Sequence, residues 1–206
     1  MLPLVVCVLL GIVYWCIEEK VTDYSVSSTI TATIKWSAVI GLIAEMLRIH
    51  YHELYEQFTY IVQNSIIFLL YSIGDIVIQF NEQYSIGFFI GGHIVLLSKF
   101  VLQLTMLSVG YIAIVLVSVI SVTLISSYAF KKNSEHIEGL EFAVYVIYIF
   151  VLANILITPV FVSGYIGHMF FVVSDVLIGF KIKQLSKLTF PLYYTSLLFL
   201  IYVKHI

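Results

Sequence analysis

The amino-acid sequence predicts an all-α protein, a polytopic bundle of about eight transmembrane helices that takes up residues 1–206 as one domain. Three observations predict it. Hydrophobic residues make up 61% of the chain and charged residues 11%, where an ordinary soluble domain carries about 25% charged. The mean hydropathy is +1.06. Apolar stretches recur at the ~20-residue length that crosses a bilayer, separated by short polar connectors.

The first stretch, 2–17, is apolar from Met1-Leu2-Pro3-Leu4 onward. It lacks the basic n-region of a signal peptide and any small-x-small site near Trp15-Cys16-Ile17, so it is expected to be a retained span. Both cysteines, Cys7 and Cys16, lie in it and are read as small buried hydrophobes. The remaining spans are expected at 30–47, 60–79, 86–103, 107–128, 140–158, 161–180 and 188–204. The connectors are Glu18–Ser28, Arg48–Gln57, Asn81–Tyr84, Phe130–Gly139 and Lys181–Lys187, with a very short turn between the fourth and fifth spans. Lys20, Lys131, Lys132, Lys181, Lys183 and Lys187 fall on one side of this topology and Arg48, Lys99 and Lys204 on the other. The excess predicts a cytosolic first set, with both termini on the far side. A net charge of −2 with no basic stripe argues against nucleic-acid binding.

Two aspartates stand inside these apolar runs in matching sequence. One run reads Ser72-Ile73-Gly74-Asp75-Ile76-Val77-Ile78-Gln79-Phe80, the other Val173-Ser174-Asp175-Val176-Leu177-Ile178-Gly179-Phe180. A carboxylate in hydrocarbon costs several kcal/mol, so an intramembrane acid is a functional candidate by default. The two fall in spans three and seven, which predicts a parallel repeat of four plus four helices. His93 follows Asp75 by 18 residues, and Tyr193 follows Asp175 by 18.

On this topology Asp75, Asp175, His93, Lys35, Tyr193 and Tyr194 gather in one leaflet, with the two carboxyls expected to approach each other. Each residue has a plainer reading. Asp75 could form a structural ion pair with Lys35, Asp175 could cap the helix end or meet the loop lysines, and His93 could be an interhelical hydrogen-bonder. Tyr193 and Tyr194 could be interfacial aromatics. His168, seven residues before Asp175 on the same expected helical face, is read as packing. Glu45 and Glu141, at span ends, are expected in water, while Gln63 and Asn64 are expected to bridge helices.

The chemistry on offer is acid–base. Gly-x-Ser-x-Gly, His-Glu-x-x-His, Cys/His clusters and Gly-rich phosphate loops are all missing from the sequence. No metal or other cofactor is expected; an Asp-His-Asp metal site has no distinctive spacing here. Two carboxyls in one low-dielectric site titrate apart, so that one serves as acid and the other as base.

These residues resemble the YhhN family, the integral membrane lysoplasmalogenases. One family motif is Ser-x-x-Gly-Asp followed by Phe-x-x-x-His; the chain resembles it with Tyr71-Ser72-Ile73-Gly74-Asp75, its serine one position later, and then Phe89-Ile90-Gly91-Gly92-His93. A second corresponds to Gly167-His168-Met169-Phe170-Phe171-Val172-Val173-Ser174-Asp175 followed by Tyr193-Tyr194. Lys35 resembles the family's span-two lysine. The chain differs where the family often has proline after that lysine (here Trp36-Ser37-Ala38), Tyr three residues after the His (here Leu96) and Ala-Gln after the tyrosines (here Thr195-Ser196-Leu197).

The resemblance implies hydrolysis of the vinyl ether of a lysoplasmalogen to a fatty aldehyde and glycerophosphoethanolamine or glycerophosphocholine. It implies Asp75 and Asp175 as the catalytic pair, with His93, Lys35, Tyr193 and Tyr194 supporting them or binding substrate. The partners expected are the lysophospholipid and water, reached from the membrane on the lysine-bearing side. The compartment implied is the endoplasmic reticulum membrane in a eukaryote or the inner membrane in a bacterium. Other classes compatible with the same acids are a proton-coupled transporter of lipids or small molecules, a non-catalytic lipid-binding membrane protein and an alkene-protonating isomerase.

Overall fold

The computed structural model describes residues 24–51, 58–78, 80–105, 107–133, 137, 139–163, 166–179 and 188–202. Among the described residues the chain forms seven α-helices and no strand: α1 Tyr24–Ile49, α2 Phe58–Val77, α3 Glu82–Thr105, α4 Val109–Asn133, α5 Gly139–Ser163, α6 Met169–Gly179 and α7 Thr189–Tyr202. Three stretches, Phe58–Val77, Val109–Asn133 and Gly139–Phe161, are long and apolar enough to cross a membrane. The expected first span with Cys7 and Cys16, and the connector with Lys181, Lys183 and Lys187, lie outside the described residues.

Local chemistry sets the helix starts. Asn81 caps α3: its Oδ1 accepts the Tyr84 N–H at 3.0 Å, and Glu82 puts an acid in the first turn. Ser108 does the same for α4, its Oγ accepting from the Tyr111 N–H at 3.4 Å. Gly139, at φ 59°, takes the left-handed conformation that opens α5. Pro191 sits in the first turn of α7, where a missing N–H costs no helix bond.

Several helix boundaries differ from the sequence expectation by a few residues, and two places differ most. α1 begins at Tyr24, inside the expected connector Glu18–Ser28. The stretch expected as a span at 161–180 is divided: α5 runs on through Pro159 to Ser163, and α6 covers only Met169–Gly179. Gly164 and Gly167 stand between them in sequence, and each glycine costs a helix about 1 kcal/mol against alanine. The described part of α6 is about 16 Å long at 1.5 Å per residue.

The chain divides into two compact units, Met1–Gly92 with Leu200–Tyr202, and His93–Phe199 with Val203–Ile206. In the first, α1 packs along α2. The buried positions of α2 are Ile61, Asn64, Ile67, Phe68, Tyr71, Ser72, Gly74 and Asp75. Their three- and four-residue spacing makes one stripe. Asn64 bridges helices as expected, since its Nδ2 reaches the Leu200 carbonyl at 3.5 Å beside a hydrogen bond from the Tyr60 hydroxyl to the same oxygen.

In the second unit α4 and α5 form the main helix pair. α4 buries Val115, Val119, Thr123, Ser127 and Phe130 and leaves most of its other apolar side chains exposed. Val115 and Val119 meet Ala153 and Ile157 of α5 in one cluster. At the other end of the pair Phe130 lies 4.9 Å from Tyr145, and Lys131 sits 5.2 Å over the Phe142 ring while donating to the Ile137 carbonyl at 2.7 Å.

Candidate functional site

Four of the six residues nominated by the sequence come together in the second unit. Asp175 stands on α6, half-buried, and accepts a hydrogen bond at Oδ2 from the hydroxyl of Tyr148 on α5. The Tyr148 ring stacks on His93 of α3, with centroids 6.1 Å apart and planes 24° apart. His93 is fully buried and meets Phe171 of α6 edge-on at 4.7 Å. Phe171 in turn meets Tyr193 of α7 at 5.2 Å, and Tyr193 meets Tyr194 at 5.3 Å. Both tyrosines are 7% exposed, so they are packed side chains and not interfacial aromatics.

α6 presents this set through its own spacing. Phe171 and Ser174 are each 1% exposed, and Leu177 is buried on the same side. The Ser174 hydroxyl donates to the Phe171 carbonyl at 2.8 Å, leaving Asp175 Oδ1 at a long 3.4 Å. Helix-internal bonding of this kind keeps the serine's proton on its own backbone. Tyr148, 27 residues earlier in the chain, donates to the carboxylate from another helix.

Asp75 belongs to the first unit, on α2, and is 5% exposed. Its motif neighbours explain the small residues before it. Gly74 leaves room for the Phe89 ring of α3, which would lie 3.1 Å from a Cβ built there. Ser72 donates to the Phe68 carbonyl at 2.7 Å, the same helix-internal device as Ser174. Tyr71 is fully buried and lies 6.0 Å from Phe89. The glycine and phenylalanine of the motif thus pack α2 against α3 next to Asp75 in sequence. Lys35 lies on α1, and its side chain is outside the described residues.

No protein-family model matches this chain, and neither a curated protein nor a solved structure does. Its chemistry is therefore read from its own side chains. A carboxylate held by a phenolic hydroxyl, beside a histidine enclosed by aromatic rings, is a site that can accept and return a proton in a largely apolar setting.

Two sequence expectations are corrected. Glu45 is not in water: it is 2% exposed and grips Arg48 in a bidentate pair, Nε to Oε2 at 2.8 Å and Nη2 to Oε1 at 2.7 Å. The partners are one turn apart on α1, and the Arg48 side chain is 59% exposed. His168 lies not within α6 but at its N-cap, where its carbonyl accepts the Val172 N–H at 3.0 Å. It is buried, and its Nδ1 lies 3.0 Å from Ser196 Oγ of α7, in keeping with its reading as a packing residue.

Sequence reasoning passed over Tyr148 and gave Phe171 no role of its own. Tyr148 sits in the run Tyr145-Val146-Ile147-Tyr148-Ile149-Phe150, one of 15 tyrosines in the chain, and nothing local separates it from the rest. Phe171 lies inside the quoted motif, four residues before Asp175, and that one-turn spacing was the available signal.

Proposed function

We propose that this chain is a membrane-embedded hydrolase that cleaves the vinyl ether of a lysoplasmalogen, releasing a fatty aldehyde and glycerophosphoethanolamine or glycerophosphocholine. The observation that carries the reading is the Tyr148–Asp175 hydrogen bond within the ring cluster of His93, Phe171, Tyr193 and Tyr194. It gathers residues that the YhhN-like motifs single out from distant parts of the sequence. The reading carries with it an eight-span topology in two parallel sets of four, supported by the repeated aspartate motif. It carries the endoplasmic reticulum membrane in a eukaryote or the inner membrane in a bacterium.

Asp75 and Asp175 are the catalytic carboxyls of this reading. A protonated carboxyl gives its proton to the distal alkenyl carbon, which leaves an oxocarbenium ion at the carbon bonded to oxygen. An ionised carboxylate steadies that cation and takes a proton from water as the water oxygen bonds to the cationic carbon. The resulting hemiacetal breaks its bond to the glycerol oxygen, which leaves as the alcohol, and the aldehyde remains. Water is the only co-reactant. Asp175 suits the ionised part, since it is the acceptor of the Tyr148 hydroxyl. His93, with its ring against Tyr148, is a supporting residue.

The test is aldehyde release by the purified full chain in detergent or lipid nanodiscs. An alkenyl lysophosphatidylethanolamine should yield a long-chain aldehyde, and the matching acyl lipid none. Intact alkenyl lipid after prolonged incubation with folded protein removes the reading.

A further inference from the structure

We infer that Tyr148 is the positioning residue for the Asp175 carboxylate, holding it through the phenolic hydroxyl while its own ring is aligned by His93. The inference rests on the hydrolase reading for its kinetic arm alone; the bond itself belongs to the fold.

Three features carry it. The hydroxyl reaches Oδ2 from a different helix, so it ties the carboxylate to α5. The Ser174 hydroxyl, the nearest alternative on α6, is committed to the Phe171 carbonyl at 2.8 Å and stands 3.4 Å from Oδ1. The Tyr148 ring is also restrained: its face lies on His93, which Phe171 abuts edge-on at 4.7 Å and which is fully buried. A side chain held at both its ring and its hydroxyl fixes the direction of its hydrogen bond, which is what a reacting carboxylate needs from its supporting shell. A donor to the charged form of an acid also favours that form over the protonated one.

Packing alone would ask only for an aromatic ring at 148. Phenylalanine would satisfy it, and the hydroxyl would be incidental. The two accounts differ over Y148F, which keeps the ring against His93 and removes the donor, and over Y148L, which removes both.

The experiment compares wild type, Y148F and Y148L as full chains in nanodiscs, by two readouts. The first is kcat and KM for the alkenyl lysophospholipid, with the melting temperature of each variant alongside. The second does not depend on activity: the rate at which dicyclohexylcarbodiimide labels Asp175 at neutral pH, read by mass spectrometry on the folded, monodisperse fraction. This reagent attacks the protonated carboxyl of acids in apolar surroundings. Positioning predicts that Y148F melts like wild type and loses roughly ten- to a hundredfold in kcat, the weight of a hydrogen bond to a charged group. KM should stay within about twofold, and Asp175 should label faster. Wild-type kcat and wild-type labelling in Y148F, with a loss only in Y148L, would make Tyr148 a packing ring and overturn the inference. Wild-type protein that releases no aldehyde overturns the hydrolase reading instead, and the labelling comparison then decides Tyr148 by itself.

Discussion

The ring of Tyr71 occupies the space beside Gly92 that the side chain of any other residue would need: a Cβ built on Gly92 would fall 2.4 Å from Tyr71 Cε1 and 2.7 Å from Cδ1. Gly74 stands in a similar relation to Phe89, at 3.1 to 3.2 Å. The glycines that flank the motif residues Asp75 and His93 in sequence are thus contact surfaces between α2 and α3. Small residues are the usual device for bringing membrane helices close, where lipid supplies no hydrophobic drive between them.

Gly92→Ala should therefore lower stability by about 1–3 kcal/mol, the usual cost of overpacking. Tyr71 is fully buried and has little room to withdraw. Gly74→Ala should cost less, since the Phe89 ring need give only a few tenths of an ångström. Melting temperatures in one detergent rank the two, and equal, unchanged values would contradict the close approach.

Asp75→Asn and Asp175→Asn should each leave a folded protein and reduce vinyl-ether hydrolysis by at least ~10²–10⁴-fold, the share of a general acid or base. Asparagine keeps the shape, and at 175 it keeps an acceptor for the Tyr148 hydroxyl. Turnover and melting are measured together. A folded Asp75→Asn protein with full activity ends its catalytic assignment.

His93→Ala should lower stability by roughly 2–5 kcal/mol, since a fully buried ring would leave a cavity between Tyr148 and Phe171. Its effect on turnover should be smaller than that of either aspartate. His93→Phe restores the volume, so recovered stability with reduced kcat would separate support of the site from packing.

Removing the Tyr60 hydroxyl (Tyr60→Phe) and the Asn64 amide (Asn64→Ala) should each destabilise the last turn of α7, because both groups donate to the Leu200 carbonyl. Each single loss should be about 0.5–1.5 kcal/mol. The losses should not add, because the donors share one acceptor. A double-mutant cycle on melting free energies gives the coupling, and strict additivity would show that they act apart.

Ser196→Ala should cost about 0.5–1.5 kcal/mol through the lost contact with His168 Nδ1 at 3.0 Å. It should leave kcat for the alkenyl lipid unchanged. A large fall in turnover with normal melting would promote His168 from packing to chemistry.

Much of the architecture was legible before any coordinates, because helix formation in an apolar chain is a local matter. Long apolar runs have to satisfy their own backbone, and a helix does so within the run. α2, α4 and α5 accordingly overlap the spans expected at 60–79, 107–128 and 140–158. The candidate residues were legible for a related reason. An acid or a histidine in such a run is costly unless it has a purpose, so Asp75, Asp175 and His93 stand out individually. Boundaries were less legible where glycines and a proline compete with hydropathy, as between Pro159 and Met169.

The sequence by itself determined the all-helical class, the apolar runs and the identity of the polar residues set within them. Tertiary structure alone decided that Tyr148 donates to Asp175, that Phe171 meets Tyr193, that Tyr193 and Tyr194 are buried, that Asn64 meets Leu200, and that Glu45 pairs with Arg48. The physical reason is directional. Hydropathy and spacing report what each helix does with its own backbone and which of its faces is apolar. A hydrogen bond between side chains 27 residues apart depends on how neighbouring helices are rotated about their axes. In a chain whose helices are apolar on nearly every side, the sequence pattern carries little information about that rotation.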